Sequence, residues 1–432
     1  MFDLILKNAR LFGPPAGNPG CQQRTGPLDL GIKDGFIAAR GPGLPHEGKQ
    51  VLDLDGKLVI PGFVDMHTHL EKALTSRVIQ NRSGRLDEAI QKFISHFDRV
   101  SQEEFYQRAR RAVEMAVSHG TTAIRSHITV DPRIGLRALR AVLKVKRDLG
   151  SIVTIQVVAF PTPDPRGVRG EQLDLLRQAV AEGADLLGGC PSLDPDHRRF
   201  TDLMFELAGE LGTALDFHVD ETDEPTVAAL EYLAEKTLIE GFQGRVTAGH
   251  CSSLSAVPED VALRVIGKVK EAGIQIVALP SCNLFLMGRG DRGLVRRGVT
   301  RVKEFLAAGV PVSYASDNVR DPFRPFGNGD MLEEALITAQ VLQMGSDPEL
   351  ETVLTMGTYY PARALGLPGY GTEVGDAADL VVLDAESAAE AIIGQREEEM
   401  VIRRGMVIVT TSRQTRERWK EEGWGKESQM LS

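Results

Sequence analysis

Eight short apolar runs punctuate the middle of the chain, each followed by a stretch with helical periodicity. The runs are LVIPGFVDMH (58–67), TTAIRSHI (121–128), VTIQVVAF (153–160), ADLLGGC (184–190), ALDFHV (214–219), VTAGHC (246–251), IQIVALP (274–280) and PVSYAS (311–316). Between them lie segments such as EEFYQRARRAVEMAVSHG and EQLDLLRQAVAEG, whose apolar residues recur at helical spacing. Eight strand-helix units in succession predict an α/β fold of the (β/α)8 TIM barrel type. A doubly wound open sheet is the competitor. It is disfavoured because no glycine-rich fingerprint follows the first strand.

The two chain ends read differently. FDLILKNARLF, LDLGIKDGFIAA and KQVLDLDGKLVI are strand-like runs separated by the loop signals GPPAGNPG and GPGLP. DLVVLD (379–384) and MVIRRGMVIVT (400–410) repeat that style near the other end. Strands need partners, so the two ends are expected to share one small sheet. The expected division is 1–58, a barrel over 59–368, 369–412, and a polar tail over 413–432. The tail, with Trp419 and Trp424, reads as an exposed helix or arm.

Bulk properties exclude several classes. A net charge of −10 argues against a protein that depends on phosphate contacts to nucleic acid. The four cysteines are scattered with no CxxC pair, which disfavours a disulfide framework and favours a reducing cytoplasm. No run of about 20 apolar residues is present, so no membrane span is expected. The start, MFDLILKNARLFG, lacks the apolar length of a signal peptide.

In a barrel of this kind, sites form at the carboxyl ends of the strands. The first strand ends in His67 and His69, which share a face because residues i and i+2 do so on a strand. The fifth ends in His218, with Glu221 just beyond; the sixth ends in His250; the eighth is followed by Asp317. Imidazole and carboxylate are the ligands expected of Zn²⁺ or Fe²⁺. Taken singly, each has an ordinary reading: a satisfied polar strand end, or for Asp317 a helix N-cap. Four strand ends converging on one mouth favour a metal site. Asp65 reads equally as a partner for a ligand imidazole or as a bond to local backbone. Arg125 and His127 share a face at the end of the second strand; they read as lining the pocket or, the favoured reading, as making a structural hydrogen bond.

HTHLEK, GTTAIRSHITV, IQVVAFP, DFHVDETDEP, RVTAGHCSS, NLFLMGRGD, RRGVTRVKEFLAAGV, SDNVRDPF and GTEVGDAADLVVLDA together resemble the amidohydrolase superfamily, in its bacterial cytosine deaminase branch. The resemblance spans nearly the whole chain. It implies that the two ends build a β-sandwich beside the barrel. It implies that His67, His69, His218 and Asp317 hold one divalent metal, Zn²⁺ or Fe²⁺. Glu221, in the family's HxxE, would shuttle a proton to the ring nitrogen; His250 would orient the attacking oxygen; Asp317 would accept the water proton. The fourth strand ends in LLGGCPSLD without a lysine at its tip, so a single-metal site fits better than a bridged pair. Lys72 is read as a substrate contact. The resemblance also implies a small heterocyclic substrate and a homo-oligomer.

Three positions depart from the cytosine deaminase pattern. Thr162 stands where those enzymes carry a glutamine, Asn318 where they carry a second aspartate, and Phe323 where they carry a tryptophan. A site that hydrogen-bonds one ring edge rejects analogues strongly, so such changes alter the substrate. The pair Lys72 and Asn318 resembles the N-isopropylammelide amidohydrolases, which remove an alkylamine from a triazine. The expectation is hydrolysis of an exocyclic C–N bond, with a cytosine-like base as lead and an N-alkylaminotriazine or a cyclic amide as alternatives. A silent scaffold is disfavoured because every candidate ligand is present. The small zinc deaminase fold is disfavoured because its HxE…PCxxC signature is missing.

Overall fold

The buried run Leu4, Ile5 and Leu6, with Ala9 beyond it, sets up the chain-end sheet. A computed structural model describes residues 1–14, 26–45, 47–225, 229–395 and 398–412. The strands before the barrel are β1 (Phe2–Leu11), β2 (Leu28–Lys33), β3 (Phe36–Gly41), β4 (Gly48–Asp53) and β5 (Leu58–Pro61). The barrel strands are β6 (Phe63–Thr68), β7 (Thr121–Val130), β8 (Thr154–Pro161), β9 (Leu186–Gly189), β10 (Ala214–Val219), β11 (Val246–His250), β12 (Gln275–Ala278) and β13 (Val312–Tyr314). Three more follow it: β14 (Leu380–Leu383), β15 (Glu398–Arg403) and β16 (Met406–Thr410).

The end strands run β16-β15-β14-β5-β1-β2-β3, with β4 beside β1. The front of β1 pairs in parallel with β4, and its last residues, Arg10 and Leu11, pair with Leu58 and Val59 of β5. One long strand thus serves two sheet portions, which share a core of Leu4, Leu6, Leu30, Ile32, Val59, Leu380, Val382 and Ile402.

The apolar run 58–67, read above as one strand, is two. Leu58–Pro61 pairs with β1 and β14, whereas Phe63–Thr68 opens the barrel. Gly62 is the break: a Cβ there would lie 2.2 Å from the Thr122 side chain. Hydropathy cannot mark this boundary, because both segments are fully buried.

The eight barrel strands are parallel neighbours in chain order. Closure is made at the mouth, where Thr68 bridges to Asp317. Asp317 N–H donates to the His67 carbonyl at 2.8 Å, and His69 N–H donates to the Asp317 carbonyl at 3.1 Å. The seam of the barrel therefore fixes three of the expected ligands against one another. The helices pack outside. Gln102–Ser118 begins where Ser101 accepts from Glu104 N–H and buries Phe105, Ala109, Val113 and Ala116. Burying one such phenylalanine contributes roughly 1.5–3 kcal/mol. Among the described residues, no helix is long and apolar enough to cross a membrane. The expected tail, 413–432, and Cys21 lie outside the described residues.

Candidate active site

Backbone strain marks the strand ends. Asp220, His250, Cys251 and Asp317 all have positive φ, at 48°, 65°, 51° and 56°. A non-glycine residue in this region costs on the order of 1 kcal/mol or more, and such residues cluster at functional sites. Of these four, His250 and Asp317 line the cavity at the barrel mouth, whereas Asp220 accepts from the N–H groups of Ala229 and Leu230. Gly249 makes room for His67: a Cβ there would lie 3.0 Å from the His67 ring.

Four side chains meet. His67 Nε2 lies 3.2 Å from His218 Nε2, and His218 Nε2 lies 3.1 Å from His69 Nε2. Asp317 Oδ1 lies 3.5 Å from His67 Nε2 and 3.3 Å from His69 Nε2. Two donors each about 2.0–2.1 Å from one tetrahedral ion sit about 3.3 Å apart. The four separations match the edges of such a tetrahedron. Burial disfavours the protonated imidazoles, holding His67 and His218 well below the usual histidine range and His69 near 4. Their nitrogens are therefore neutral donors of lone pairs. His69 Nδ1 lies 3.2 Å from the His127 carbonyl and 3.1 Å from Lys72 Nζ; ligation through Nε2 would leave the ring proton on Nδ1, facing that carbonyl. Burial works against the charged form of Asp317, yet the close approach of His69 and the adjacent His250 hold its carboxyl well below the usual carboxylate range. Both its carboxylate oxygens lack hydrogen-bond partners. These orphaned buried atoms and this donor set fit one divalent cation.

His250 and Glu221 flank that cluster. His250 offers a nitrogen within 4.8 Å of ligand atoms of His67, His218 and Asp317. Its Nδ1 accepts from Asn283 Nδ2 at 3.2 Å, which places the ring proton on the unpartnered Nε2. Glu221 Oε1 lies 3.6 Å from His250 Nδ1. Burial raises the Glu221 carboxyl to about 7, with Asp317 adding to the rise and His250 and Lys72 opposing it. A carboxyl poised there can both take and give a proton near neutrality.

One cavity of about 550 Å³, counting its open mouth, is lined by His69, Glu221, His250 and Asp317. Lys72, Thr162, Asn318 and Phe323 line it as well, so every expected substrate contact borders the same space. His67 stands behind them, fully buried. The Lys72 ammonium sits 5.3, 5.2 and 5.0 Å from the ring centres of Phe93, Phe160 and Phe323. Cation–π attraction from three rings holds it in place. Asn318 is more constrained than a free edge-reader. Its Nδ2 donates to Asp321 at 2.6 Å, and its Oδ1 accepts from Cys282 at 3.5 Å.

Asp65 does not reach a ligand imidazole. It accepts from Ser316 N–H at 3.1 Å and from Ser316 Oγ at 2.5 Å, bracing the residue before Asp317. Arg125 is structural, as expected: it donates to Asp216 at 2.8 Å, Thr247 at 3.1 Å and Gln156 at 2.9 Å. His127 lies 3.1 Å from Asp216 and 4.0 Å from His67, ring centre to ring centre. Asp216 stays ionised despite burial because His127 and Arg125 surround it. Sequence reasoning missed Asp216, Phe93 and Phe160. Asp216 carried one signal, a carboxylate inside an otherwise apolar strand two residues before His218.

A family model described as the amidohydrolase family matches residues 58–408. The chain is 34% identical to an N-isopropylammelide isopropyl amidohydrolase of Pseudomonas sp. (strain ADP), over 94% of this chain and 97% of that protein. It is 35% identical to a pterin deaminase of Rhizobium rhizogenes (strain K84 / ATCC BAA-868), over 88% of this chain and 87% of that one. A 5-methylcytosine deaminase from Klebsiella pneumoniae, solved with 5-fluorocytosine, superposes with a TM-score of 0.88 at 31% identity, over 96% of this chain and 99% of that chain. With a strand-end His/Asp cluster on a (β/α)8 barrel and these matches along nearly its whole length, the chain belongs to the amidohydrolase family.

Proposed function

We propose that the protein hydrolyses an exocyclic C–N bond of a small nitrogen heterocycle, with a cytosine-like aminopyrimidine as lead substrate and ammonia as the product. The observation that carries this reading is the meeting of His67, His69 and His218 Nε2 with Asp317 Oδ1, beside Glu221, in one cavity. His67, His69, His218 and Asp317 would hold a single Zn²⁺ or Fe²⁺. That ion, when bound, polarises the reacting centre and lowers the pKa of water to about 7. Asp317 accepts the proton of the attacking water. Glu221 carries a proton to the ring nitrogen and then to the departing amine, which would otherwise leave as an amide anion. The His250 Nε2–H faces the developing oxyanion. Lys72 fixes a carbonyl or anionic edge of the ring, and Phe323 covers its face. Thr162 and Asn318 complete the contacts; Asn318 keeps one hydrogen and one lone pair beyond its bonds to Asp321 and Cys282.

The resemblance to the 5-methylcytosine deaminase and the pterin deaminase supports release of ammonia. The 34% identity to the N-isopropylammelide enzyme favours a second reading, release of an alkylamine from a triazine. We take the barrel, which opens at Phe63 rather than at the expected residue 59 and runs to 368, as the catalytic unit, and 1–61 with 369–412 as its flanking sandwich. The test is product release by purified, metal-loaded protein from cytosine, isocytosine, 5-methylcytosine, creatinine, ammelide and N-isopropylammelide, with ammonia and alkylamine scored separately. Ammonia from a pyrimidine supports the lead. Alkylamine from the triazine alone moves the protein to the second reading.

A further inference from the structure

Helix Leu86–Phe97 has one apolar face, with residues at i, i+3, i+4, i+7, i+8 and i+11, and one edge of that face borders the cavity. Ala89, Phe93 and Phe97, spaced i, i+4, i+8, are buried in the main core. Leu86, Ile90 and Ile94 share that spacing but are only half-buried. All three line the cavity that holds His69, Glu221 and Asp317. The charged residues of the helix, Asp87 and Lys92 among them, lie on its exposed side. The helix thus contributes only apolar side chains to the cavity. Leu193, 38% exposed, lines the same cavity from the segment after β9. Phe93 ties the helix to the ring-reading wall, because its ring faces the Lys72 ammonium at 5.3 Å.

A bare six-membered heterocycle held at the ligand cluster and Lys72 offers no group to cover the half-buried Leu86, Ile90 and Ile94. We infer that the substrate carries an apolar substituent of three or more carbons, seated on Leu86, Ile90, Ile94 and Leu193. The inference rests on the reading of the site as a hydrolase of heterocycle C–N bonds. The substituent is either retained on the ring or borne by the departing amine. The balance is the same for both. The exocyclic C–N bond breaks and a C–O bond forms from water at the same ring carbon. One water proton ends on the departing nitrogen and the other on the ring, giving a lactam plus ammonia or an alkylamine.

The experiment uses the full-length, metal-loaded protein and aminopyrimidines and aminotriazines bearing hydrogen, methyl, propyl or benzyl on the ring or on the exocyclic nitrogen. Each buried carbon is worth about a fourfold gain, so kcat/KM for propyl should exceed that for hydrogen by about fiftyfold. The released amine tells ring from leaving-group placement. Ile90→Asn and Ile94→Asn, checked for unchanged melting and metal content, should shrink the propyl-to-hydrogen ratio to below about tenfold. Affinity for the matching lactam products reads the subsite without turnover. Affinity that rises with substituent size, with no substrate hydrolysed, sinks the proposed reaction and keeps the subsite. A flat or falling trend in both kcat/KM and product affinity overturns the subsite and leaves the reaction standing.

Discussion

Glu221 is held between opposing influences: burial lifts its carboxyl to about 7, while the adjacent His250 and Lys72 pull it down. A group so placed is suited to carry a proton in both directions. Glu221→Gln keeps the size and polarity of the side chain but removes that capacity. Turnover should fall about a thousandfold while bound metal, measured by elemental analysis, stays at the wild-type level. A metal-loaded variant that retains activity would remove the shuttle. Lys72 is the second decisive residue. Lys72→Met fills the space among Phe93, Phe160 and Phe323 without the charge. KM should rise about 10- to 100-fold, the worth of a hydrogen bond to a charged group, with kcat less affected. A steady-state analysis in which KM is unmoved would place Lys72 in a purely structural role.

Two elements hold the strand ends in position. The first is the loop after β13. Arg324 Nη1 donates to Glu334 at 2.7 Å and also to the carbonyls of Ser316 and Asn318, which bracket Asp317. Both partners are buried. Arg324→Met leaves the Glu334 carboxylate buried without its partner, which should cost about 3–5 kcal/mol in urea unfolding. The double variant Arg324→Met, Glu334→Leu should regain much of that loss, because no unpaired charge remains. The second element is the end of β10. Asp220 accepts from the N–H groups of Ala229 and Leu230, at 3.2 and 3.0 Å, and so anchors the following helix. Burial raises its carboxyl to about 6, with those two bonds opposing the rise. The folded state thus holds this proton more tightly than the unfolded chain does. Below about pH 4 both states are protonated and nothing is lost. As pH rises from about 4 to 6 the unfolded chain gains by ionising, so the folded state loses stability; above that window the loss is constant. The stability of Asp220→Asn relative to wild type should therefore rise across that window, by at most about 3 kcal/mol, and then level off. A pH-independent difference in unfolding free energy would show that Asp220 ionises normally in the fold.

At the scale of the molecule, the two chain ends are one structure. β14 pairs with β5 from Leu380↔Pro61 to Leu383↔Leu58, and Arg403 of β15 reaches both Asp379 and Thr154 of the barrel. Tyr370 donates to the Gly62 carbonyl at 2.7 Å, at the joint where the chain leaves the end sheet for the barrel. Removing residues 369–432 would expose Val59 and Leu6 and leave β5 with an open edge. The truncated chain is expected to aggregate rather than fold, as read by sedimentation and metal content. A soluble, metal-binding truncated barrel would show that the barrel stands alone.

Local chemistry along the chain was enough to determine the alternation of strands and helices, the positions of the barrel strands, and the polar strand ends at His67, His69, His218, His250 and Asp317. Those signals are local: apolar runs, helical spacing, and polar residues where an apolar run stops. The division of the run 58–67 at Gly62 was not legible, because it depends on a close approach to Thr122, 60 positions away. Nor was the pairing of Asp65 with Ser316, or of Asp216 with Arg125 and His127, since each partner lies on a different strand. Only the tertiary structure caged Lys72 among three phenylalanines and bonded Asn318 to Asp321 and Cys282. It alone decided that Leu86, Ile90 and Ile94 border the cavity. The physical reason is common to all of these. Hydropathy and spacing say which side chains need burial or a partner, whereas barrel closure brings distant strand ends within 3–4 Å and chooses the partner.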